Sequence, residues 1–301
     1  MTKARIGYIG VGLMGHGAAK NILEKGGHAL TILGHRNREP VDDLVRRGAK
    51  EAKSPAEVAR ASDILFLCVP SSVEVEAAVY GKDGVLEGAR PGLVVVDSTT
   101  ADPNSTRRIA ADLKAKGADM LDAPLGRSPK EAEAGTLSIY VGGDPAVMKK
   151  LRPVMELYAD TIVEVGPIGS GHTMKLLNNF ISIGTCAVIS EAVATGAKLG
   201  IDMRKFHEVV SAGGANSKMF QAVMPWVLEG DDSLLKGPLR IAGKDLRFYT
   251  KLAEQAPAAA FIAQAVCQTL HLMNVQGHGD RFLPVLPGLL AQLNGAKIRD
   301  L

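Results

Sequence analysis

The sequence predicts an α/β domain built on a mainly parallel sheet, followed by an all-α domain. Short apolar runs alternate with helical patterns through the first half of the chain. Runs such as "DILFLCVP" and "LVVVD" are almost wholly apolar, which is typical of strands covered on both faces. After about Gly166 the pattern is helical and no convincing strand follows. We therefore expect two domains, residues 1–165 and 166–301.

The strands expected in the first half are Arg5–Ile9, Ala29–Leu33, Ile64–Val69, Leu93–Asp97, Asp119–Asp122 and Leu137–Gly142. The helical patterns between them lie around Met14–Lys25, Val41–Arg47, Pro55–Ala61, Val73–Tyr80 and Asn104–Lys116. Helical connections of this length join parallel strands. In the second half we expect a long apolar helix from Thr173 to about Leu199, then shorter helices broken at Gly213-Gly214, Pro225, Gly237-Pro238 and Pro284.

Length and composition limit the function classes. The chain has 301 residues, 46% hydrophobic and 22% charged, and a formal charge of +3. This length fits two domains, and so small a charge gives no reason to expect a nucleic-acid partner. The apolar strand starts almost at once and no secretion leader precedes it, so we expect a cytoplasmic protein. The charge-free tract Ala256–Gly279 carries polar residues along one stripe, which predicts an amphipathic or interface helix and no membrane span.

The cysteines are sparse and odd in number. Cys68, Cys186 and Cys267 share no short spacing and lie in apolar surroundings. This pattern argues against a disulfide framework and against a zinc site. We interpret them as small buried hydrophobic residues in a reducing compartment and expect no metal.

A glycine pattern, G-x-G-x-x-G, falls at Gly10, Gly12 and Gly15. It follows a predicted strand and opens a predicted helix. In that context the first glycine permits a tight turn, the second lets a pyrophosphate approach the backbone, and the third lets helix and strand pack closely. The helix N-terminus then offers unpaired N–H groups to phosphates. The alternative is a glycine-rich turn without a ligand.

The residues that follow the second strand predict which dinucleotide binds. An acidic residue near this point would hold the ribose of NAD, but the sequence reads His35, Arg36, Asn37 and Arg38. Guanidinium groups match a 2′-phosphate in charge and geometry. The pattern favours NADP over NAD, unless the two arginines only form a solvated loop.

A polar stripe runs along the long apolar helix. Lys175, Asn178, Asn179, Ser182 and Cys186 have offsets of 0, 3, 4, 7 and 11, which place them on one helical face. Lysine and paired amides can donate to, and orient, an alcohol or carbonyl oxygen. Hydride transfer to a carbonyl needs a proton donor, and the reverse reaction needs a base. The alternative is that Lys175 caps the helix or reaches solvent while the asparagines bond to backbone.

Five segments carry a resemblance to a known family: "GYIGVGLMG", "VVVDSTTADP", "LDAPLGRSPKEAEAGTLSIYVGGD", "GSGHTMKLLNN" and "KDLRF". In this order and spacing the chain resembles the β-hydroxyacid dehydrogenases, the group of 3-hydroxyisobutyrate dehydrogenase and its relatives. The resemblance covers essentially the whole chain. It implies a Rossmann N-terminal domain, a long interdomain helix and an all-α C-terminal domain that mediates oligomerisation as a homodimer or homotetramer. It also implies hydride transfer between NAD(P) and a small hydroxyacid or aldehyde acid.

The resemblance assigns roles to single residues. Lys175 matches the catalytic lysine, and Asn178, Asn179 and Ser182 match substrate positions. Those matched to the cofactor are Leu13, Met14, Val69, Pro70, Thr100 and Lys244. Leu13 and Met14 lie in the phosphate turn, Val69 and Pro70 on the adenosine side, and Thr100 near the nicotinamide.

One motif departs from the family pattern. Most relatives carry Ser-Gly-Gly after the "DAP" strand end, where this chain reads Gly126-Arg127-Ser128. That form resembles the branch containing sulfolactaldehyde reductase, also described as a γ-hydroxybutyrate dehydrogenase. The resemblance implies that Arg127, with Ser128, meets the anionic end of a carboxylated or sulfonated three- or four-carbon substrate. The alternative is that Arg127 points to solvent and backbone amides bind the anion.

Two other functions stay open from the sequence. A decarboxylating dehydrogenase of the 6-phosphogluconate type would need further sugar or phosphate contacts, for which no dedicated motif is present. A dinucleotide-dependent interaction module without chemistry would not need Lys175 and its asparagines. A panel of small aldehydes and hydroxyacids, followed by NADPH or NADH absorbance, separates these alternatives.

Overall fold

The computed structural model describes residues 3–34 and 36–299. The chain divides into two compact units, Met1–Lys175 and Leu176–Leu301. The strands are β1 (Arg5–Ile9), β2 (Ala29–Leu33), β3 (Lys50–Ala52), β4 (Ile64–Leu67), β5 (Val94–Asp97), β6 (Asp119–Asp122), β7 (Leu125–Gly126), β8 (Leu137–Gly142) and β9 (Ala159–Gly166). The helices of the first unit are α1 (Gly15–Gly26), α2 (Glu39–Arg46), α3 (Pro55–Ala61), α4 (Ser72–Tyr80), α5 (Val85–Gly88), α6 (Pro103–Ala115), α7 (Pro129–Ala134) and α8 (Pro145–Met155).

Helix α9 (Ser170–Lys198) begins in the first unit and continues into the second. The second unit then contains α10 (Met203–Ala212), α11 (Lys218–Glu229), α12 (Leu239–Gln255), α13 (Phe261–Val275), a 3-10 helix (Leu283–Val285) and α14 (Leu286–Leu293). Through residue 299 this unit has no strand beyond one isolated bridge between Pro238 and Phe282. The predicted fold class, an α/β domain and an all-α region with a long helix between them, is confirmed.

The sheet has the order β3-β2-β1-β4-β5-β6-β8-β7, and β9 pairs with β8. Strands β1 to β6 are all parallel to one another, whereas β8 runs antiparallel to β6. The strand order reverses at β1 and β4. In open α/β sheets, ligands bind beyond the carboxyl ends of the strands at such a reversal.

Both faces of this sheet are covered, and β4 shows how. Phe66 packs with Tyr8 on one face at 5.5 Å between ring centroids. Leu65 and Leu67 point to the other face and pack in the cluster that contains Ile109. Burying each such side chain contributes about 1.5–3 kcal/mol, which is why this strand is apolar at every position.

Three strands were not predicted. β3 has three residues, β7 has two, and neither contains an apolar run. β9 is mostly exposed at the edge of the sheet, so its burial does not alternate. Short edge strands of this kind depend on pairing with a neighbour and carry little periodicity of their own.

The predicted helix break at Pro225 is wrong, because α11 runs through it. Proline removes one backbone hydrogen bond from the helix interior. The side chains around it, Met224, Trp226 and Val227, are buried in the core of the second unit. This packing holds the helix together across the missing hydrogen bond.

Within the described residues one helix, α9, is long and apolar enough to cross a membrane by length and composition alone. Half of its most apolar window is buried inside the protein. A core helix of a folded domain has the same composition, so this observation is weak evidence for a span.

Candidate active site

The glycine turn lies at the reversal point of the sheet, between the end of β1 and the start of α1. Gly10 has a φ of +97°, and a Cβ there would lie 2.1 Å from the Cys68 carbonyl oxygen. A Cβ on Gly15 would lie 2.0 Å from the Gly10 carbonyl oxygen. Both positions therefore need glycine, for backbone conformation at the first and for close packing at both.

The same turn leaves room for a phosphate. Apart from Gly12 itself and its two chain neighbours, no described heavy atom lies within 4 Å of the position that a Gly12 Cβ would take. Met14 precedes α1 without a side-chain cap, and the first turn of α1 has no acidic residue. The N-cap residue thus supplies no side-chain acceptor to the N–H groups of α1. The first turn also carries His16, whose ring nitrogens are hydrogen-bonded to the carboxylates of Glu133 and Asp43. The neighbouring Leu13 is exposed. These residues fit the pyrophosphate of a dinucleotide.

The ends of β4 and β5 are tied together by a threonine that the sequence analysis did not single out. The Val69 N–H donates to Thr99 Oγ1 at 3.2 Å. The Thr99 N–H in turn donates to Asp97 Oδ1 at 2.9 Å. These two hydrogen bonds fix the loops that carry Val69-Pro70 and Thr100, the residues predicted to line the cofactor.

The residues predicted to select NADP differ in their surroundings. Arg38 donates through both terminal nitrogens to the Glu51 carboxylate, at 2.7 and 2.9 Å, and also to Asp42 at 2.9 Å. Arg36 is exposed, and among the described residues no ion pair is recorded for it. Asn37 accepts the Glu39 N–H. His35 lies outside the described residues.

Arg127 and Ser128 are both engaged within the first unit. Arg127 has a φ of +73°, a conformation that favours glycine. Its guanidinium donates to Asp160 Oδ2 at 2.8 Å and to Thr161 Oγ1 at 3.0 Å. Ser128 is the N-cap of α7, in a capping box with Glu131. The hydrogen bond from Arg127 lowers the pKa of the Asp160 carboxyl.

The start of α9 is fixed at the carboxyl edge of the sheet. Asp122, the last residue of β6, accepts the N–H groups of Gly169 and His172 at 2.7 and 2.8 Å. Lys175 is half-buried and lies one turn after His172. The predicted catalytic lysine is therefore held near the edge where ligands of α/β sheets bind. Asp122 and His172 were not predicted as site residues, and only their place in the quoted motifs could have indicated them.

The rest of the polar stripe belongs to the second unit. Asn179 is half-buried, and its Nδ2 donates to Asp245 Oδ2 at 2.7 Å. Lys244 Nζ lies 3.1 Å from the other oxygen of this buried carboxylate. Asn178 is exposed and Ser182 is half-buried. Asp245 therefore fixes the orientation of the Asn179 amide, a role that was not predicted from the "KDLRF" segment.

Burial changes the protonation chemistry at the ends of β4 and β5. Burial raises the pKa of the Asp97 carboxyl, and the nearby His172 partly opposes that effect. Burial also raises the pKa of the Cys68 thiol to about 12, so this thiol stays neutral near pH 7. No group of three or more His, Cys, Asp or Glu residues in 3–34 and 36–299 is arranged to hold a metal ion.

Two families match this chain. Residues 5–166 match the NAD binding domain of 6-phosphogluconate dehydrogenase. Residues 169–282 match the family described as NAD-binding of NADP-dependent 3-hydroxyisobutyrate dehydrogenase. The two matches together cover the glycine turn, α9 and the segment that contains Lys244.

Characterised relatives and solved structures are similar over most of the chain. The 2-(hydroxymethyl)glutarate dehydrogenase of Eubacterium barkeri is 35% identical over 229 residues, 75% of each chain. The 3-sulfolactaldehyde reductase of Escherichia coli strain K12 is 32% identical over 253 residues, 84% of each chain. The structure described as Psf3 in complex with NADP+ and 2-OPP has a TM-score of 0.82 and 26% identity, over 95% of this chain and 99% of the other.

Proposed function

The chain belongs to the β-hydroxyacid dehydrogenase family, whose members are NAD(P)-dependent oxidoreductases of small hydroxyacids and aldehydes, and from that premise we propose its mechanism and substrate class. Lys175 is the general acid and base of a hydride transfer between the nicotinamide and a small anionic hydroxyacid or aldehyde. Asp122 carries this proposal, because it anchors α9 at the carboxyl end of β6 one turn before Lys175. The named relatives act on small acids and aldehydes, which favours this chemistry over an interaction module or a 6-phosphogluconate-type decarboxylation.

The bound dinucleotide supplies or accepts the hydride. For oxidation, the neutral Lys175 amine takes the substrate hydroxyl proton as the hydride leaves the adjacent carbon. For reduction, the Lys175 ammonium returns that proton to the carbonyl oxygen. Asn178, Asn179 and Ser182 follow Lys175 along one face of α9 and orient the substrate oxygens by hydrogen bonds. The Asn179 amide is kept in one orientation by Asp245.

NADP is the proposed preferred cofactor, with NAD as the weaker one. The exposed Arg36 supports this preference, since no carboxylate within residues 3–34 and 36–299 forms an ion pair with it, whereas Glu51 holds Arg38. Gly10, Gly12 and Gly15 hold the pyrophosphate, with Leu13 and Met14 in the same turn. Val69, Pro70, Thr100 and Lys244 are proposed as the remaining cofactor contacts.

The substrate carries a carboxylate or a sulfonate that Arg127 and Ser128 recognise. The similarity to a 3-sulfolactaldehyde reductase supports this substrate class, as does the arginine between Gly126 and Ser128. Arg127 must exchange Asp160 for the substrate anion when it binds. A neutral aldehyde of similar size lacks this contact and should bind weakly.

A cytoplasmic homodimer or homotetramer is also proposed. The helix expected between 256 and 279 is α13, which buries Ala263, Val266 and Leu270 but exposes Phe261 and Ile262. Exposed apolar side chains of this kind are typical of an interface. Light scattering coupled to size exclusion measures the oligomer, and a monomer at micromolar concentration would contradict this part. The domain boundary at residue 165 stays a prediction.

The function is tested with a substrate panel. The protein is mixed with NADPH or NADH and with carboxylated or sulfonated three- and four-carbon aldehydes, and absorbance at 340 nm is followed. The reverse panel uses the corresponding hydroxyacids with the oxidised cofactors. We expect turnover with at least one anionic aldehyde. The absence of any cofactor oxidation or reduction across both panels would overturn the proposed function.

A further inference from the structure

Two carboxylates and one imidazole lie buried together at the carboxyl ends of β5 and β6. Asp97 and Asp122 are register partners at the ends of these neighbouring strands. The His172 side chain, in the first turn of α9, has no exposed surface. Its Nε2 lies 3.9 Å from Asp97 Oδ2, and its Nδ1 lies 4.0 Å from Asp122 Oδ2.

The two carboxylates hold different parts of the backbone. Asp97 accepts the N–H of Thr99 and so fixes the turn after β5. Asp122 accepts the N–H groups of Gly169 and His172 and so fixes the start of α9. His172 lies between these two supports. A change in the charge of this imidazole would therefore affect both the turn that carries Thr100 and the helix that carries Lys175.

The hydrogen bonds of His172 indicate where its protons are. Thr106 Oγ1 donates to the Asp102 carbonyl oxygen at 3.2 Å and lies 2.7 Å from His172 Nδ1. A hydroxyl has one proton to donate, and the Thr106 hydroxyl donates it to the Asp102 backbone carbonyl. Thr106 Oγ1 must therefore accept a hydrogen bond from His172 Nδ1–H. Nε2 then faces Asp97 Oδ2, and both atoms are buried without a hydrogen-bond partner.

We propose that Asp97, His172 and Asp122 form a buried positioning unit in which the His172 imidazolium balances the carboxylates and thereby sets the proton affinity of Lys175. This inference rests on the proposed role of Lys175. Burial alone raises the pKa of Asp97, so an ionised Asp97 needs a cation beside it, and His172 is the group that faces it. The neutral Cys68 thiol also lies near Asp97, and the Arg107 guanidinium lies against Gly169.

Lys175 is close enough to respond to this charge. Side chains three residues apart on a helix have Cβ atoms about 5–6 Å apart. At such separations, one unit of buried charge changes the proton affinity of an amine measurably even in a fairly polar surrounding. Loss of the cation should make Lys175 hold its proton more tightly, and loss of a carboxylate should have the opposite effect.

The test compares pH profiles of kcat, in the oxidation direction, for three variants. His172→Asn retains a donor toward Thr106 but removes the charge. The limb of its profile that reports deprotonation of Lys175 should move to higher pH by about half a pH unit or more, so kcat at pH 7 should fall about threefold or more. Asp97→Asn, which can still accept the Thr99 N–H, should move the limb to lower pH. The double variant, His172→Asn with Asp97→Asn, should have a midpoint closer to that of the wild type. KM for the cofactor should change less than threefold in each of the three variants.

A neighbouring threonine provides the matched control. Thr173 Oγ1 donates to the Gly169 carbonyl oxygen in the same turn, at 2.8 Å. Thr173→Ala should lower the melting temperature slightly and leave the midpoint in place. Midpoints within 0.2 pH units of wild type in both charge variants, or additive losses in the double variant, would overturn the positioning unit.

A second readout does not depend on the variants. If His172→Asn fails to fold, the ring nitrogen chemical shifts of His172 in the labelled wild-type protein are measured between pH 6 and 8. Two protonated ring nitrogens across this range would support the proposal, and a neutral ring would overturn it. Substantial turnover by Lys175→Ala would instead contradict the proposed function itself, so the two failures are distinguishable.

Discussion

Arg127 and Asp160 form an ion pair with 2.8 Å between Nη1 and Oδ2. The pair ties the loop after β7 to β9, although 33 residues separate the two in sequence. Arg127 also adopts a left-handed backbone conformation, with a φ of +73°. A substrate anion that binds Arg127 must therefore compete with a carboxylate that is already present.

Arg127→Ala should raise KM for an anionic aldehyde far more than for a neutral aldehyde of similar size. The lost contact is charge-assisted, so about 1.5–3 kcal/mol is expected, or roughly 10- to 150-fold. Arg127→Lys should recover part of the charge without the forked geometry. Equal losses of kcat/KM for both aldehydes would show that Arg127 only supports the loop, and the anion site would then be sought at the backbone amides and Asn179.

Asp160→Asn should have the opposite effect and lower KM for the anionic aldehyde. Exposed ion pairs are weak, so a decrease of no more than about fivefold is expected. The Asp160 pKa is lowered by Arg127, so the carboxylate persists at every pH above its unfolded value of about 3.9. The decrease should thus be the same at pH 6 and pH 9. A KM that rises in Asp160→Asn would show that the pair holds the site in its binding conformation.

Lys175→Ala should lose most turnover while cofactor binding survives. General acid–base groups contribute about 10² to 10⁴ in rate. Cofactor binding is measured by fluorescence titration and kcat with the best substrate of the panel. Lys198→Ala, an exposed lysine at the far end of α9, is the matched control and should leave kcat unchanged. A Lys175→Ala variant that keeps more than about half of the wild-type kcat excludes the assignment.

The double variant Arg36→Ala with Arg38→Ala should shift preference from NADPH towards NADH. The loss of charge-assisted hydrogen bonds to a phosphate costs about 1.5–3 kcal/mol, measured as kcat/KM for both cofactors. Since the Arg38 guanidinium already donates to Glu51 and Asp42, Arg36→Ala alone should account for most of the change in cofactor preference. Arg46→Ala, an exposed arginine on α2, controls for general loss of positive charge. Equal or better use of NADH by the wild type would refute the NADP preference.

Alanine substitutions at two glycines of the turn should have different effects, one on stability and the other on cofactor binding. Gly10→Ala places a Cβ against the Cys68 carbonyl at a φ of +97° and should lower the free energy of unfolding by about 1–3 kcal/mol. Gly12→Ala meets no neighbour, so it should fold normally and weaken cofactor binding instead. Chemical denaturation and cofactor titration of both variants separate the effects. Normal cofactor affinity in a folded Gly12→Ala would mean that the phosphates do not approach this position.

Local sequence was sufficient for the elements with strong burial or strong backbone requirements. β1 and β2 have the bounds predicted from their apolar runs, because the buried positions of both strands carry no polar side chain other than the Tyr8 hydroxyl. The glycine turn was predicted because Gly10 and Gly15 meet steric limits set by nearby backbone. The polar stripe of α9 was predicted because a helix repeats its faces every three to four residues. The requirements at Gly15 and along the helix stripe are local, whereas the close approach at Gly10 involves the Cys68 carbonyl, 58 residues later in the chain.

The partners of the charged site residues were decided by tertiary structure. Arg38 was predicted to face a phosphate, yet its guanidinium donates to Glu51 on β3. Arg127 was predicted to bind the substrate anion, and its guanidinium donates to Asp160 on β9. His172 was not singled out at all, although it lies beside Asp97, 75 residues earlier in the chain. A charged side chain can reach any acceptor within several ångströms, and which acceptor is near depends on the order of strands in the sheet. The sequence determined that this chain builds a dinucleotide turn and a lysine-bearing helix, whereas only the folded sheet determined which carboxylate each cation meets.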